Sequence, residues 1–442
     1  MARRPLRIAT TNQLAHASRV AGFDTYLLPE TVNTDINRPL DQRLADGDVY
    51  RPFLEKHDIE LVIDFDTSAL TLSRKDDGSD EVCLTTGKLG IPYVCSFIDP
   101  VTSTMGQVPW RDRWRLLQND SWIKWIWESA HADELTRLGI PRVMTMPMAA
   151  QDGDYDTSPP LVSDSGPVLA FMGHPASSWF SSDQQFPAKL MFPAMTAIAV
   201  QADMPDIPFH KVYFDLYEFG KTPTGTAGEM ASIDVAERYY NDKFLYSAYL
   251  AVKQRDRFTR FLSQRMGDHF ELVGDHWGDV YGLRHTPRVW DHQALLERMR
   301  RVPICLNLAK GCLESGMNSR HFEITAAGGF MLTYETPELS SCFEIGVECD
   351  VFRSENDLLE KIEFYLEHPE KRREIAMAGQ RRTLSEHLYS HRLVTLVEML
   401  RQAGVLPGGF SGDDFEIDNG GVVGTENGLL QLEFRVAHFE CE

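Results

Sequence analysis

Between Pro303 and Thr333 an apolar run, a glycine-rich polar loop, a helical stretch and a second apolar run follow one another, and that succession admits few folds. Pro303 to Leu308 reads as a buried strand and Lys310 to Asn318 as the loop. A helix opens near Ser319, and Gly329 to Thr333 is the next strand. Two strands joined through a helix pair in parallel, so the unit is βαβ, with its loop at the carboxyl edge of the first strand. Ligands of open α/β sheets bind at such edges. Free amides at the start of the Ser319 helix attract an anion, and Arg320 adds a full charge in the first turn. The small run Ala326-Ala327-Gly328-Gly329 lets backbone approach backbone. The corner suits a diphosphate.

The remaining chain repeats the same grammar. Leu6 to Thr10, Gly22 to Leu28, Leu61 to Asp66 and Ile91 to Ile98 read as strands separated by helical stretches, and a helix over Ala130 to Leu138 precedes a strand over Arg142 to Met148. Alternating β and α, with polar residues at strand carboxyl ends, is the pattern of a doubly wound parallel sheet. Gln151 to Gly166 has the Asp, Ser and Pro content of a linker. The division expected is therefore a first domain over 1–160, a second over 166–390, and a closing helix with a tail over 391–442. The second domain opens with the strand Val168 to Met172 and the turn Gly173-His174.

At 442 residues the chain has room for two or three domains, and 43% hydrophobic with 25% charged residues is ordinary globular composition. A formal charge of −21 argues against a nucleic-acid partner, whose phosphates are bound mainly by Lys and Arg. The seven cysteines are scattered, without a C-x-x-C pair, so neither a zinc site nor a disulfide framework is expected. No apolar leader or transmembrane run occurs, and with those cysteines a cytoplasmic setting is expected. Trp110, Trp114, Trp122, Trp125 and Trp127 cluster beside basic residues. They read as domain packing, with attachment of a helix to a membrane surface as the alternative.

Arg320, Phe322, Glu323, Ala326, Gly328, Gly329 and Phe330 form R-x-F-E-x-x-A-x-G-G-F, which resembles the signature of CgeB-like glycosyltransferases and of the wider group-1 carboxyl-terminal domain. The likeness continues through Pro337-Glu338-Leu339, Phe343 to Gly346, Leu366 to Pro369, Ala378-Gly379 and Glu386 to Arg392. It implies the GT-B fold: two Rossmann-like domains facing across a cleft, with acceptor on the first and nucleotide sugar on the second. It also implies that Glu323 accepts hydrogen bonds from the ribose hydroxyls, where the plainer role is a solvated helix start. Retaining relatives carry another Glu eight positions earlier. Here that residue is Ser315, with Glu314 beside it.

The candidate donor-binding residues are Gly173, His174, Gly274, His276, Lys310, Ser315, Asn318, Ser319, Arg320 and Glu323. Asp99, in the Asp99-Pro100 corner, is a candidate general base for the acceptor hydroxyl, or else a turn former. Arg320 is the candidate electrostatic catalyst, and Lys310 adds charge for the departing nucleoside diphosphate. Arg255 or Arg257 stands in for the phosphate-binding Arg that such enzymes place soon after the Gly173 turn. His276 is read as contacting base or diphosphate, or as merely exposed.

The expected activity is metal-independent transfer of a sugar from a nucleotide-diphosphate donor to a protein, polysaccharide or other surface glycan, with no cofactor. The alternatives are a GT-B-like binding or assembly protein without transfer chemistry, and a nucleotide-sugar epimerase. An insertion at about 176–247, rich in Phe, Tyr and Met, is expected to be helical. It would cover the cleft mouth and help select the acceptor, or form a contact between copies in a homo-oligomer.

Overall fold

The computed structural model describes residues 4–29, 40–65, 70–75, 82–97, 110–160, 162, 166–175, 188–203, 207–216, 233–308 and 313–406. Asp66, Asp99, Lys310 and the tail segment 429–436, which reads as a strand or docked extension, lie outside them.

Thirteen strands occur among these residues. They are β1 (Arg7–Thr10), β2 (Asp24–Leu27), β3 (Leu61–Phe65), β4 (Leu72–Arg74), β5 (Val82–Leu84), β6 (Tyr93–Phe97), β7 (Trp122–Ile126), β8 (Val143–Thr145), β9 (Leu169–Met172), β10 (Phe270–Val273), β11 (Ile304–Asn307), β12 (Met331–Tyr334) and β13 (Asp350–Phe352). Six make one parallel sheet in the order β2-β1-β3-β6-β7-β8, and five make a second in the order β10-β9-β11-β12-β13. β4 and β5 pair antiparallel on their own. Two doubly wound sheets on one chain are the GT-B composition.

By contacts, one unit comprises Met1–Pro147, Tyr217–Tyr240 and Tyr389–Glu442, and the other Met148–Leu216 and Asn241–Leu388. The division thus falls before the 151–166 stretch that reads as a linker. Its Asp156 is held within the second unit, where its carbonyl accepts from Gln380 and its carboxylate pairs with Arg300 at 3.0 Å. The closing helix, Tyr389–Gln402, packs on the Asn12–Val20 helix of the first unit.

In the first unit the tryptophans are core. Trp122 and Trp125 lie in β7 and are essentially unexposed, while Trp114 and Trp127 are 3% and 5% exposed. Four of the five rings therefore have no face for a membrane surface, which corrects that alternative; nothing is described for the Trp110 side chain. Asp64, the penultimate residue of β3, accepts from the Tyr93 hydroxyl at 2.5 Å and is fully buried, so this carboxylate is packing. Among the described residues no helix is long and apolar enough to cross a membrane.

In the second unit β9, β11 and β12 run through a core that Phe258, Leu262, Trp277, Leu358, Ile362 and Tyr365 close from neighbouring helices. Asp291 caps its helix by accepting from the Ala294 amide at 2.7 Å, and Ser354 does so for Asp357 at 3.2 Å. A Cβ on Gly329 would meet the Met299 carbonyl at 2.7 Å, so this glycine serves helix-to-strand packing. The described parts of the insertion are helical: Ala188–Asp203, Phe209–Leu216 and Ile233–Ala251.

Candidate functional site

In the second sheet the chain leaves β9 for the edge strand β10 and returns to β11 on the other side of β9, so β9 and β11 flank the topological switch point. At the end of β9 stands Gly173, whose carbonyl accepts from the Trp277 indole at 2.8 Å. Gly274, at the end of β10, has φ +151°, and a Cβ there would lie 2.3 Å from the Gly173 oxygen. These two glycines let the strand ends touch each other, a tighter demand than any ligand need impose. His174 follows. Its Nδ1 lies 3.0 Å from the Asp275 amide, which can only donate, and 3.4 Å from the Asp275 carbonyl; the shorter contact favours the tautomer with the ring proton on Nε2. Burial lowers the His174 pKa, which keeps the ring neutral.

A single turn of π-helix, Val252–Asp256, precedes the Arg257–Met266 helix and turns Arg255 inward. Arg255 is 6% exposed and donates to the Leu308 carbonyl at 3.0 Å and to the His174 carbonyl at 3.4 Å. Its guanidinium lies 5.5 Å from the centre of the Phe171 ring. A permanent cation thus sits between the carboxyl ends of β9 and β11. Arg257, two residues on, is 57% exposed at its side chain and pairs with Glu355.

Asn318 is the N-cap of the Ser319–Ala326 helix, yet its side chain does not cap. Its amide pairs reciprocally with that of Asn307, at 3.3 and 3.4 Å, and also donates to Leu308 at 3.4 Å. The Leu308 carbonyl therefore accepts from both Arg255 and Asn318, joining the switch-point cation to the helix start. Below it, His321 is fully buried, with Nδ1 3.0 Å from Asn318 Oδ1 and Nε2 3.1 Å from Thr333 Oγ1. Burial pulls its pKa down to about 4, so it is a neutral strut. The amides of Ser319 and Arg320 have no acceptor among the described residues.

Arg320 and Glu323 pair with each other across one turn, at 25% and 17% side-chain exposure. Burial, and then the Glu323 charge, hold the nearby Tyr155 hydroxyl well above its usual range; it donates to Gln151 at 2.6 Å.

Other expected residues are engaged differently. The Ser315 hydroxyl donates to Glu338 at 2.6 Å, and the Glu338 amide donates back to the Ser315 carbonyl at 3.0 Å. Glu314 is 4% exposed at its side chain, paired with Lys243 at 2.8 Å and accepting from the Phe209 amide at 2.7 Å. His276 is left-handed at φ 70°, 58% exposed at its side chain, and 3.5 Å from Asp279. Its ring centre lies 6.1 Å from that of His174, so the two histidines share one corner. Sequence reasoning missed Asn307, His321 and Thr333. The Asn at the end of an apolar strand was the available signal for the first, and helical spacing from Ile324 and Thr325 for His321.

Among the described residues no group of three or more His, Cys, Asp or Glu is arranged to hold a metal ion. Residues 254–398 match a family described as glycosyl transferase-like. The glycosyl transferase-like stretch is about a third of the chain and begins one residue before Arg255. It contains β10 to β13 and the Ser319 helix. No curated protein matches. Among solved structures, a sucrose-phosphate synthase from Thermosynechococcus elongatus is 11% identical, covering 91% of this chain and 99% of that one, with a TM-score of 0.47. A glycosyltransferase from Rickettsia africae is 8% identical, with coverages of 90% and 99% and a TM-score of 0.46. HepE from Anabaena, in complex with UDP-glucose, is 9% identical, with coverages of 89% and 99% and a TM-score of 0.44.

Proposed function

We propose that the chain is a glycosyltransferase that moves a sugar from a nucleotide-diphosphate donor to a glycan, protein or other surface acceptor. The observation that carries this reading is the Leu308 carbonyl, on which Arg255 at the switch point and Asn318 at the helix start converge. A diphosphate placed there meets the Arg255 charge and the two helix-start amides, with His174 at the same strand end. Glu323, steadied by Arg320, offers its remaining lone pairs to the vicinal ribose hydroxyls.

Transfer then rests on stabilising the nucleoside diphosphate as the glycosidic bond breaks and charge grows on the leaving oxygen. Arg255, Arg320 and Lys310 supply positive charge to that oxygen, and no metal or cofactor is assigned a step. Asp99 is the proposed base that takes the proton of the acceptor hydroxyl. The test is calorimetry and turnover with UDP, GDP and dTDP sugars. Binding with slow hydrolysis to free sugar supports the assignment, whereas absence of binding by all of them removes it.

One observation favours a second reading. Glu314 and Ser315, the residues at the donor-sugar carboxylate position, are both engaged internally, as befits a protein that binds nucleotide sugar without transferring it. Product analysis separates the two and exposes an epimerase as well: donor retained, sugar released, or sugar converted.

A further inference from the structure

Among the described residues the insertion meets the proposed donor corner at the Glu314 carboxylate. Phe209 opens the Phe209–Leu216 helix, so its amide has no acceptor inside that helix, and it donates to Glu314 Oε2 at 2.7 Å. Lys243, on the Ile233–Ala251 helix, reaches Glu314 Oε1 at 2.8 Å. Both side chains of this ion pair are 4% exposed. The two insertion helices are fixed to each other independently of Glu314. Phe209 stacks on Tyr246 with ring centres 4.3 Å apart, and the Tyr213 hydroxyl donates to Asp242 at 2.5 Å. The clamp is therefore preorganised, and the carboxylate is what it grips.

Glu314 stands four residues before Asn318, the cap of the Ser319 helix, and next to Ser315, which is tied to Glu338. The segment is thus held by the insertion on one side and by Glu338, Asn307 and Leu308 on the other. A shift of the Glu314 end would carry Asn318 away from Leu308, and with it the helix-start amides and Arg320. An ion pair so buried resists such a shift, because separating its members gives up an attraction that water does not replace at 4% exposure.

We infer that Lys243 is a positioning residue for donor binding. Together with the Phe209 amide it holds Glu314, and so keeps the 313–318 segment in the arrangement that receives the donor diphosphate; Glu314 itself does not touch the sugar. This rests on the glycosyltransferase reading for its donor half. It also gives the insertion a role at the donor corner, separate from any role in acceptor choice.

The experiment compares Lys243→Met, Glu314→Gln and the double variant. Hydrogen exchange is followed over the peptide spanning 313–322 without ligand, and affinity for UDP, GDP and dTDP is measured by calorimetry. Each single variant is expected to exchange at least tenfold faster there and to bind the nucleoside diphosphate about tenfold more weakly. Hydrolysis at saturating donor should stay within about twofold. The double variant removes both charges of the pair, so it should recover part of both losses. Wild-type exchange and affinity in Lys243→Met would overturn the inference. So would a Glu314→Gln variant with intact binding and no turnover beside a fully active Lys243→Met, since Glu314 would then act on substrate directly. If the wild-type protein binds none of the three nucleotides, the glycosyltransferase reading and the donor half fall together. The exchange measurement, needing no ligand, tells that outcome from failure of the clamp.

Discussion

Replacing Gly274 by Ala tests whether the corner depends on the crossing of two strand ends. The new Cβ would stand 2.3 Å from the Gly173 oxygen, 2.8 Å from its carbonyl carbon and 3.4 Å from the His174 nitrogen. All three are backbone atoms, so no side chain can rotate out of the way. Holding a residue with a side chain at φ +151° costs about 1–3 kcal/mol, and forcing the overlap apart costs roughly 1–3 kcal/mol more. At roughly 2–4 °C per kcal/mol for a unit of this size, a loss of about 4 kcal/mol lowers the melting temperature by on the order of 8–16 °C. Gly282→Ala is the matched control, because Gly282 has φ +66° but nothing within 4 Å of its Cβ position. There only the left-handed strain of about 1–2 kcal/mol applies. Calorimetric melting of both variants, with a UDP titration of each, reads the difference. Moving the end of β9 also moves the His174 carbonyl off Arg255, so nucleotide affinity should fall at least tenfold in Gly274→Ala and hold in Gly282→Ala. If the two variants melt within about 2 °C of each other, the close approach is not what this glycine is for.

Arg255→Met should weaken nucleotide binding by a factor of ten or more, whereas Arg257→Met, which loses an exposed pair worth about 0–1 kcal/mol, should leave it unchanged in the same titration. Glu323→Gln should lower donor affinity while the melting curve stays near that of the parent, and unchanged donor binding by calorimetry would remove the ribose role. His321 supplies a pH dependence. Its folded pKa of about 4 lies below the ordinary ~6.5, so the neutral ring favours the fold and its contribution is fully present above ~6.5. As pH falls from there to about 4 the unfolded chain takes up the proton first, and on the order of 3 kcal/mol is lost. A His321→Asn variant should therefore show a flatter melting temperature between pH 7 and pH 4 than the parent, and parallel curves would contradict the assignment.

The parallel architecture was legible because its cause is local. A run such as Leu169 to Met172 is buried on both faces, and a strand so buried is mostly apolar along its length. Helix starts are local in the same way: Asp291 and Ser354 reach amides three residues away. The Gln151 to Gly166 stretch misled because its composition is that of a solvated segment. What holds it is Arg300, whose guanidinium reaches the Asp156 carboxylate at 3.0 Å and the Ser158 hydroxyl at 2.8 Å. An arginine more than 140 positions away leaves no mark in the segment it binds.

The candidate site divides along the same line. Arg320 and Glu323 are neighbours on one helix, so their spacing brought both to attention, although their pairing changes what each has free for a ligand. Arg255 was one of two arginines that spacing could not separate; the π-turn decides, burying Arg255 and leaving Arg257 in solvent. Glu314 is the sharpest case. Residue type and position beside Ser315 pointed it at a sugar, while its partners are Lys243 and an amide 105 positions earlier in the chain. A carboxylate as deeply buried with a cation as Glu314 is with Lys243 is held for the fold, because such a pair is costly to open, whereas the more exposed Glu323 keeps lone pairs for a ligand beside Arg320. Which cation claims Glu314 depends on how the insertion folds back, and that is a property of tertiary packing. The motif around Glu323 marks the proposed nucleotide corner. The insertion, through Lys243 and the Phe209 amide, grips the segment leading into it.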